Sequence, residues 1–147
     1  MAPPNGKDIR AGIAAEIFPS ITAVADGDKL TYLPSSFNSH SPMVCLGKEE
    51  DERPPLTNMG DKVTFYVPVW LLSLYSDPNG TVYDVQVAHD LLSDIRAQLA
   101  AGVTAKRKVL NKWQCITQDG RSQVLQPFPV AGDTYILEIV ILKVEVY

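Results

Sequence analysis

The chain has 147 residues and a mass of 16.1 kDa, with 46% apolar residues, 20% charged residues and a net charge of −4. That excludes a chain disordered throughout, which needs low hydrophobicity and high net charge, and it provides no basic face of the kind that grips nucleic acid. The sequence holds no run of about 18 apolar residues for a membrane span, and residues 1–8 lack the charged-then-apolar order of a signal peptide; the expectation is a soluble protein made in the cytoplasm, with residues 1–147 forming a single domain.

In chain order, residues 5–18 read as a short amphipathic helix. Ile9, Ile13, Ala14, Ile17 and Phe18 share one face. Asn5 suits its cap, Asp8 suits its positive end, and Pro19 stops it. A turn at Asp26-Gly27-Asp28 leads into short strands at residues 29–33 and 43–46, separated by a Ser- and Pro-rich loop. Residues 47–61 carry the run Glu49, Glu50, Asp51, Glu52 and two prolines, with almost no apolar anchor; they read as a flexible, solvated acidic loop. Residues 62–74 alternate as a strong strand, and Pro68 in its middle argues for an edge position or a bulge. Residues 81–101 form the clearest helix, with Val85, Ala88 or His89, Leu92, Ile95 and Leu99 as its apolar stripe. Thr81 and Asp84 imitate a capping box, and Gly102 suits the position just past the end.

Strands follow at residues 109–117 and 121–130, with Gln118-Asp119-Gly120 as the turn between them, and at residues 134–147. In the last strand Ile136, Val140, Leu142, Val144 and Val146 alternate with Tyr135, Leu137, Ile139 and Ile141. Both faces are apolar, so the strand is expected at the centre of the sheet with cover on each side. The fold class is therefore α+β: a single domain with a mostly antiparallel or mixed sheet of four to six strands, a short N-terminal helix and one long helix packed on it. The two helices either share one face, leaving the other for a neighbouring subunit, or take one face each. Trp70, Tyr75, Tyr135 and Tyr147 add aromatic surface of the interface kind, which favours the shared face.

No residues announce catalysis. His40 and His89 have no zinc-ligand spacing, and no Cys-x-x-Cys, nucleophile elbow or phosphate-cradling glycine loop occurs. His89 reads as a half-buried helix residue. Cys45 and Cys115 read as reduced, buried small residues. The consecutive acids Glu49 to Glu52 on a mobile loop do not hold the fixed geometry of acid–base chemistry; they read as a solvated loop, or as a negative rim facing DNA or a basic partner. Lys106, Arg107 and Lys108 read as the charged exit of a helix.

The order of elements resembles the tail terminator proteins of long-tailed bacteriophages. The likeness lies in the opening helix, the strand Val63-Thr64-Phe65-Tyr66-Val67-Pro68-Val69 after an acidic loop, the helix with Val85, Ala88, His89, Leu91, Leu92, Ile95 and Leu99, and the final apolar strand. The resemblance implies a structural virion protein, made in the host cytoplasm, without enzymatic activity or cofactor. It implies a homo-hexameric ring that caps the tail tube, ends polymerisation of the tube protein and meets the head–tail connector or stopper protein, while DNA passes through without specific binding. On that reading Trp70, Tyr75, Tyr135, Ile139 and Tyr147 are interface candidates. Glu49, Glu50, Asp51 and Glu52 would face the lumen or the partner, so deletion of residues 48–55 is expected to spare the fold. Head-completion, stopper and other neck proteins share these traits; an adaptor domain and a small α+β enzyme are the readings from other classes.

Overall fold

A mixed six-stranded sheet carries both helices on one of its faces. The computed structural model describes residues 6–32, 42–52, 63–76, 85–106, 113–130 and 133–146. In chain order these form α1 (Gly6–Glu16), two 3-10 turns (Phe18–Ser20 and Asp26–Asp28), β1 (Lys29–Leu30), β2 (Met43–Leu46) and β3 (Glu50–Glu52). Then come β4 (Val63–Ser76), α2 (Val85–Lys106), β5 (Trp113–Val130) and β6 (Asp133–Val146). The strand order is β1-β2-β4-β6-β5, with β3 also on β4. β1 runs parallel to β2, and all other pairs are antiparallel. The α+β class read from the sequence holds, and β6 is internal as its two apolar faces required.

The β4–β6 ladder is the spine. It runs from Val63 opposite Val146 to Ser76 opposite Thr134, with one irregularity between Leu74 and Ser76. Every second residue faces the helices: Phe65, Val67, Val69 and Leu71 from β4, and Ile136, Val140, Leu142 and Val144 from β6. Against this stripe pack Ile9 and Ile13 of α1, then Ile17, Phe18, Ile21 and Val24 from the segment after it, and Ala88, Leu92, Ile95, Leu99 and Val103 of α2. Among the described residues, all but one of the largest fully buried side chains belong to this core, Leu72 being the exception. Each contributes roughly 1.5–3 kcal/mol on burial, so the helix side of the sheet holds the fold together. The expected core members Ile13, Ile17, Leu92, Ile95, Leu99, Val140 and Leu142 are all buried there. The side chain of Val85 lies outside the described residues, as do Thr81 and Asp84.

One charge sits inside the stripe. Glu138, opposite Leu71, is buried, and the Arg96 guanidinium of α2 reaches it at 2.6 Å. Gln98, half a turn further on, accepts the Ala23 N–H at 3.0 Å and donates to the Thr22 hydroxyl at 3.1 Å. These bonds fix the axial position of α2 over the sheet and over the chain leaving α1.

Three local readings are corrected, and of the two offered for Pro68 the bulge holds and the edge position does not. Gly102 does not end the helix; α2 continues to Lys106. The glycine is there because the chain after α1 crosses at that point: a Cβ would meet the Ser20 side chain at 2.9 Å and the Ile17 carbonyl at 3.1 Å. Residues 47–61 are not all loop, because Glu50–Glu52 pairs with β4. Pro68 lies on an internal strand, and the bulge is in its partner. Three residues separate Leu46 from Glu50 where only two separate Val69 from Tyr66. At the bulge the Gly47 N–H donates to the Pro68 carbonyl at 2.8 Å, and a Cβ on Gly47 would stand 2.8 Å from the Pro68 ring. Finally, Gln118-Asp119-Gly120 is not a hairpin turn. Residues 113–130 form one strand along β6, with register shifts between Gln118 and Gln123 and between Gln123 and Gln126 that absorb the extra residues as bulges.

Two substitutions probe this packing. Gly102→Val should destabilise by about 1–3 kcal/mol through overpacking, read as a lower urea midpoint. Arg96→Ala leaves the Glu138 carboxylate buried without its guanidinium and should cost about 1–3 kcal/mol. Adding Glu138→Leu should restore part of that loss, because the unpaired charge is then gone.

Candidate functional site

Both described helices lie on one face; on the other face one end is buried and the rest is partly exposed. The register assigns its residues in rows. Met43, Leu72 and Leu137 form one row, and Cys45, Trp70 and Ile139 the next. Pro68 pairs with Ile141, Tyr66 with Lys143, and Thr64 with Glu145. The face therefore grades from apolar to charged along the strands. At its apolar end Met43, Cys45, Leu72 and Leu137 are buried, with Leu30, Trp70 and Ile139 packed half-buried against them.

The charged end holds a shallow pocket of about 140 Å³ lined by Lys48, Glu50, Tyr66, Pro68 and Ile141. Beside it the Lys143 ammonium lies 3.4 Å from the Glu145 carboxylate on the same strand. The pocket exists because of the bulge at Gly47. After it the chain alternates again, so Lys48 and Glu50 face the pocket and Glu49 turns to the opposite side. Sequence reasoning missed Lys48, Tyr66 and Ile141. The period-two pattern of β4 and β6 was the available signal, since it already groups Tyr66 and Pro68 with Trp70.

Glu49 is corrected most clearly. Its carboxylate pairs with Arg10 and lies against Gly6, with a side chain 16% exposed. There it meets the positive end of α1, where an anion is favoured. Any side chain at Gly6 would occupy the space the carboxylate fills. Glu49 thus clamps α1 to the β2–β3 bulge and is not part of a solvated rim. Glu50, Asp51 and Glu52 form a strand, not a free loop. Removal of residues 48–55 would take out both features, so the expectation that this deletion spares the fold is also corrected.

The remaining candidates are quickly placed. Trp70 and Ile139 share a row on the face opposite the helices, and both are half-buried there. The side chains of Tyr75 and Tyr135, and all of Tyr147 and His40, lie outside the described residues. His89 is half-buried on α2. Cys45 is a free thiol; burial, helped by the nearby Asp28 carboxylate, pushes its pKa up to about 12. Cys115 pairs with Val144 on the far side of β6. Three strand spacings, roughly 14 Å, separate β2 from β5, too far for a disulfide. Among the described residues no group of three or more His, Cys, Asp or Glu side chains could hold a metal ion, and no helix is long and apolar enough to cross a membrane.

No protein-family model matches the chain, and no curated protein matches it in sequence.

The thiol gives a pH test. Because the folded pKa lies above the unfolded one, folding favours the protonated thiol. Its contribution is complete below the unfolded value of 9.0 and is lost as pH rises towards about 12. The urea midpoint should therefore fall more steeply above pH 9 in the native chain than in Cys45→Ala. In the folded protein at pH 8, Cys45 should resist alkylation and become reactive only in denaturant.

Proposed function

We propose that this chain is a structural virion protein of the tail-terminator kind, which assembles into a hexameric ring, caps a tail tube, ends its polymerisation and joins the tail to the head connector. The observation that carries the reading is the one-sided sheet. Both described helices cover one face, while on the other Trp70 and Ile139 stay half-exposed beside the buried Met43, Cys45, Leu72 and Leu137. Aromatic and aliphatic groups in that state are the usual anchors of a protein–protein contact. The order of elements that resembles the terminators is the second support.

In this role the work is mechanical. A ring is a template made of repeated contacts: subunits meet through the sheet face and its edges, and the assembled rim meets the tube protein on one side and the connector or stopper on the other. No bond is made or broken in a substrate, and no cofactor takes part. A lumen that DNA must traverse works best without cationic grip, because every neutralised phosphate adds affinity. The net charge of −4 is compatible with that demand. Placement in the virion neck, and DNA as a passing rather than a bound partner, belong to the same proposal.

The test is native mass over a concentration series, with negative-stain images of the same samples, alone and with purified tail tubes. A six-fold ring, free or seated on tube ends, is the expected result. A monomer under both conditions defeats the reading and leaves a monomeric adaptor using the same face.

A further inference from the structure

On one side the sheet ends in β5; on the other it ends in a step, with β1 outside β2 and β3 beside β4. Among the described strands β5 pairs only with β6, and β3 pairs only with β4. In an antiparallel ladder the N–H and C=O of one residue point to the same side, and successive residues alternate. The Pro68 carbonyl accepts from Gly47, which fixes the alternation for the whole sheet. Through the register, Glu50 and Glu52 bond to β4, while the N–H and C=O of Asp51 point outward. By the same stepping, Gln114, Ile116 and Gln118 bond to β6, and Trp113, Cys115 and Thr117 point their backbone groups outward.

The two edges lie at the same level. Asp51 pairs with Phe65, Phe65 with Val144, and Val144 with Cys115, so Asp51 and Cys115 terminate one row at opposite ends. They also run in opposite directions, since β3 and β6 both oppose β4 and β5 opposes β6. A second copy placed alongside in the same orientation therefore brings its β3 antiparallel to the first copy's β5.

Composition separates the edges further. β3 is Glu-Asp-Glu. Residues 113–118 carry no charge, proline or glycine, and Lys106, Arg107, Lys108 and Lys112 precede them in the sequence. The rest of β5 is blunted by its register shifts and by Pro127 and Pro129, the devices that protect an edge from pairing. Residues 113–118 lack those devices. Joining β3 to β3 would set acid against acid, whereas residues 113–118 set an uncharged strand against the acidic one.

We infer that copies of this chain join edge to edge, residues 113–118 of one copy adding in antiparallel sense to the Asp51 edge of the next. This rests on the ring reading above and deepens it. The contact is heterologous, the kind that closes into a ring when the rotation per subunit allows. It leaves Trp70, Ile139 and the Lys48–Glu50 pocket free for the tube or the connector.

The experiment mixes two full-length proteins: one carrying Asp51→Cys with Cys115→Ser, the other native at both positions. Buried Cys45 is silent. A thiol-to-thiol cross-linker of about 8 Å cannot bridge β3 to β5 within one chain, where three strand spacings intervene. The expected product is a cross-link between unlike proteins only, mapped to positions 51 and 115. Thr117→Pro removes an outward N–H without touching the β6 ladder; it should shift native mass from ring to monomer at unchanged circular dichroism. Rings that form without the cross-link and survive Thr117→Pro overturn the edge inference and leave the ring reading intact. Cross-links between native copies through Cys115 overturn it in favour of like-edge pairing. Absence of both rings and cross-links, with and without tubes, overturns both.

Discussion

The β4–β6 ladder has to bury the stripe it presents on one side, and the positions of the other elements follow from that need. Phe65, Val67, Val69 and Leu71 stand directly opposite Val144, Leu142, Val140 and Glu138. Such a stripe in water would forgo most of the hydrophobic stabilisation available to a domain of this size. Among the described residues the one long amphipathic helix is α2, so it lies on the stripe, and α1 with the turns after it fills what α2 leaves. The buried Glu138 makes the solution specific. A carboxylate inside this layer needs a cation, and Arg96 can supply one only with α2 at one height and rotation. Gln98 ties that same helix to Thr22 and Ala23, and Gly102 permits the close crossing at Ser20.

Placing both helices on one face is also what makes the opposite face available. On it Met43, Cys45, Leu72 and Leu137 are buried, while Trp70 and Ile139 are only half-covered. Along the strands the same face changes from apolar to charged, ending at the Lys48–Glu50 pocket and the Lys143–Glu145 pair. Surfaces with such a gradient suit assemblies in which one end makes a dry contact and the other sets orientation by charge. Two of the sheet edges also differ: β3 is acidic and short, and β5 is uncharged and regular over residues 113–118 only. Two acidic edges would repel each other, which disfavours pairing β3 with β3.

The acidic run shows how one residue's inserted step changes roles. Without the bulge opposite Pro68, Glu49 would alternate onto the pocket side and Glu50 onto the helix side. With it, Glu49 reaches Arg10 and the start of α1 while Glu50 faces the pocket. Four adjacent acids that look equivalent in sequence thus divide into a structural clamp and an edge strand. The proline that lacks an N–H, and the glycine beneath it that lacks a side chain, are the two residues that make the inserted step possible.

The sequence by itself determined which segments bury themselves and at what period. Alternation in β4 and β6, and the Leu92, Ile95, Leu99 stripe of α2, fix element type, fold class and most of the core, because period two and period 3.6 each admit one regular backbone. It also carried the signal of an irregularity at Pro68. What it left open were the choices that depend on a partner distant in the chain. Gly102 looks like a helix end until Ser20 is brought against it. Glu49 looks solvated until α1 offers a cation and a helix terminus. Asp119-Gly120 looks like a reversal until β6 provides an edge long enough for the chain to bulge and continue. In each case local chemistry allowed two conformations, and contacts far apart in sequence selected one. The same holds for the pair of helices: each had an apolar face, but only the three-dimensional packing placed both on the same side of the sheet.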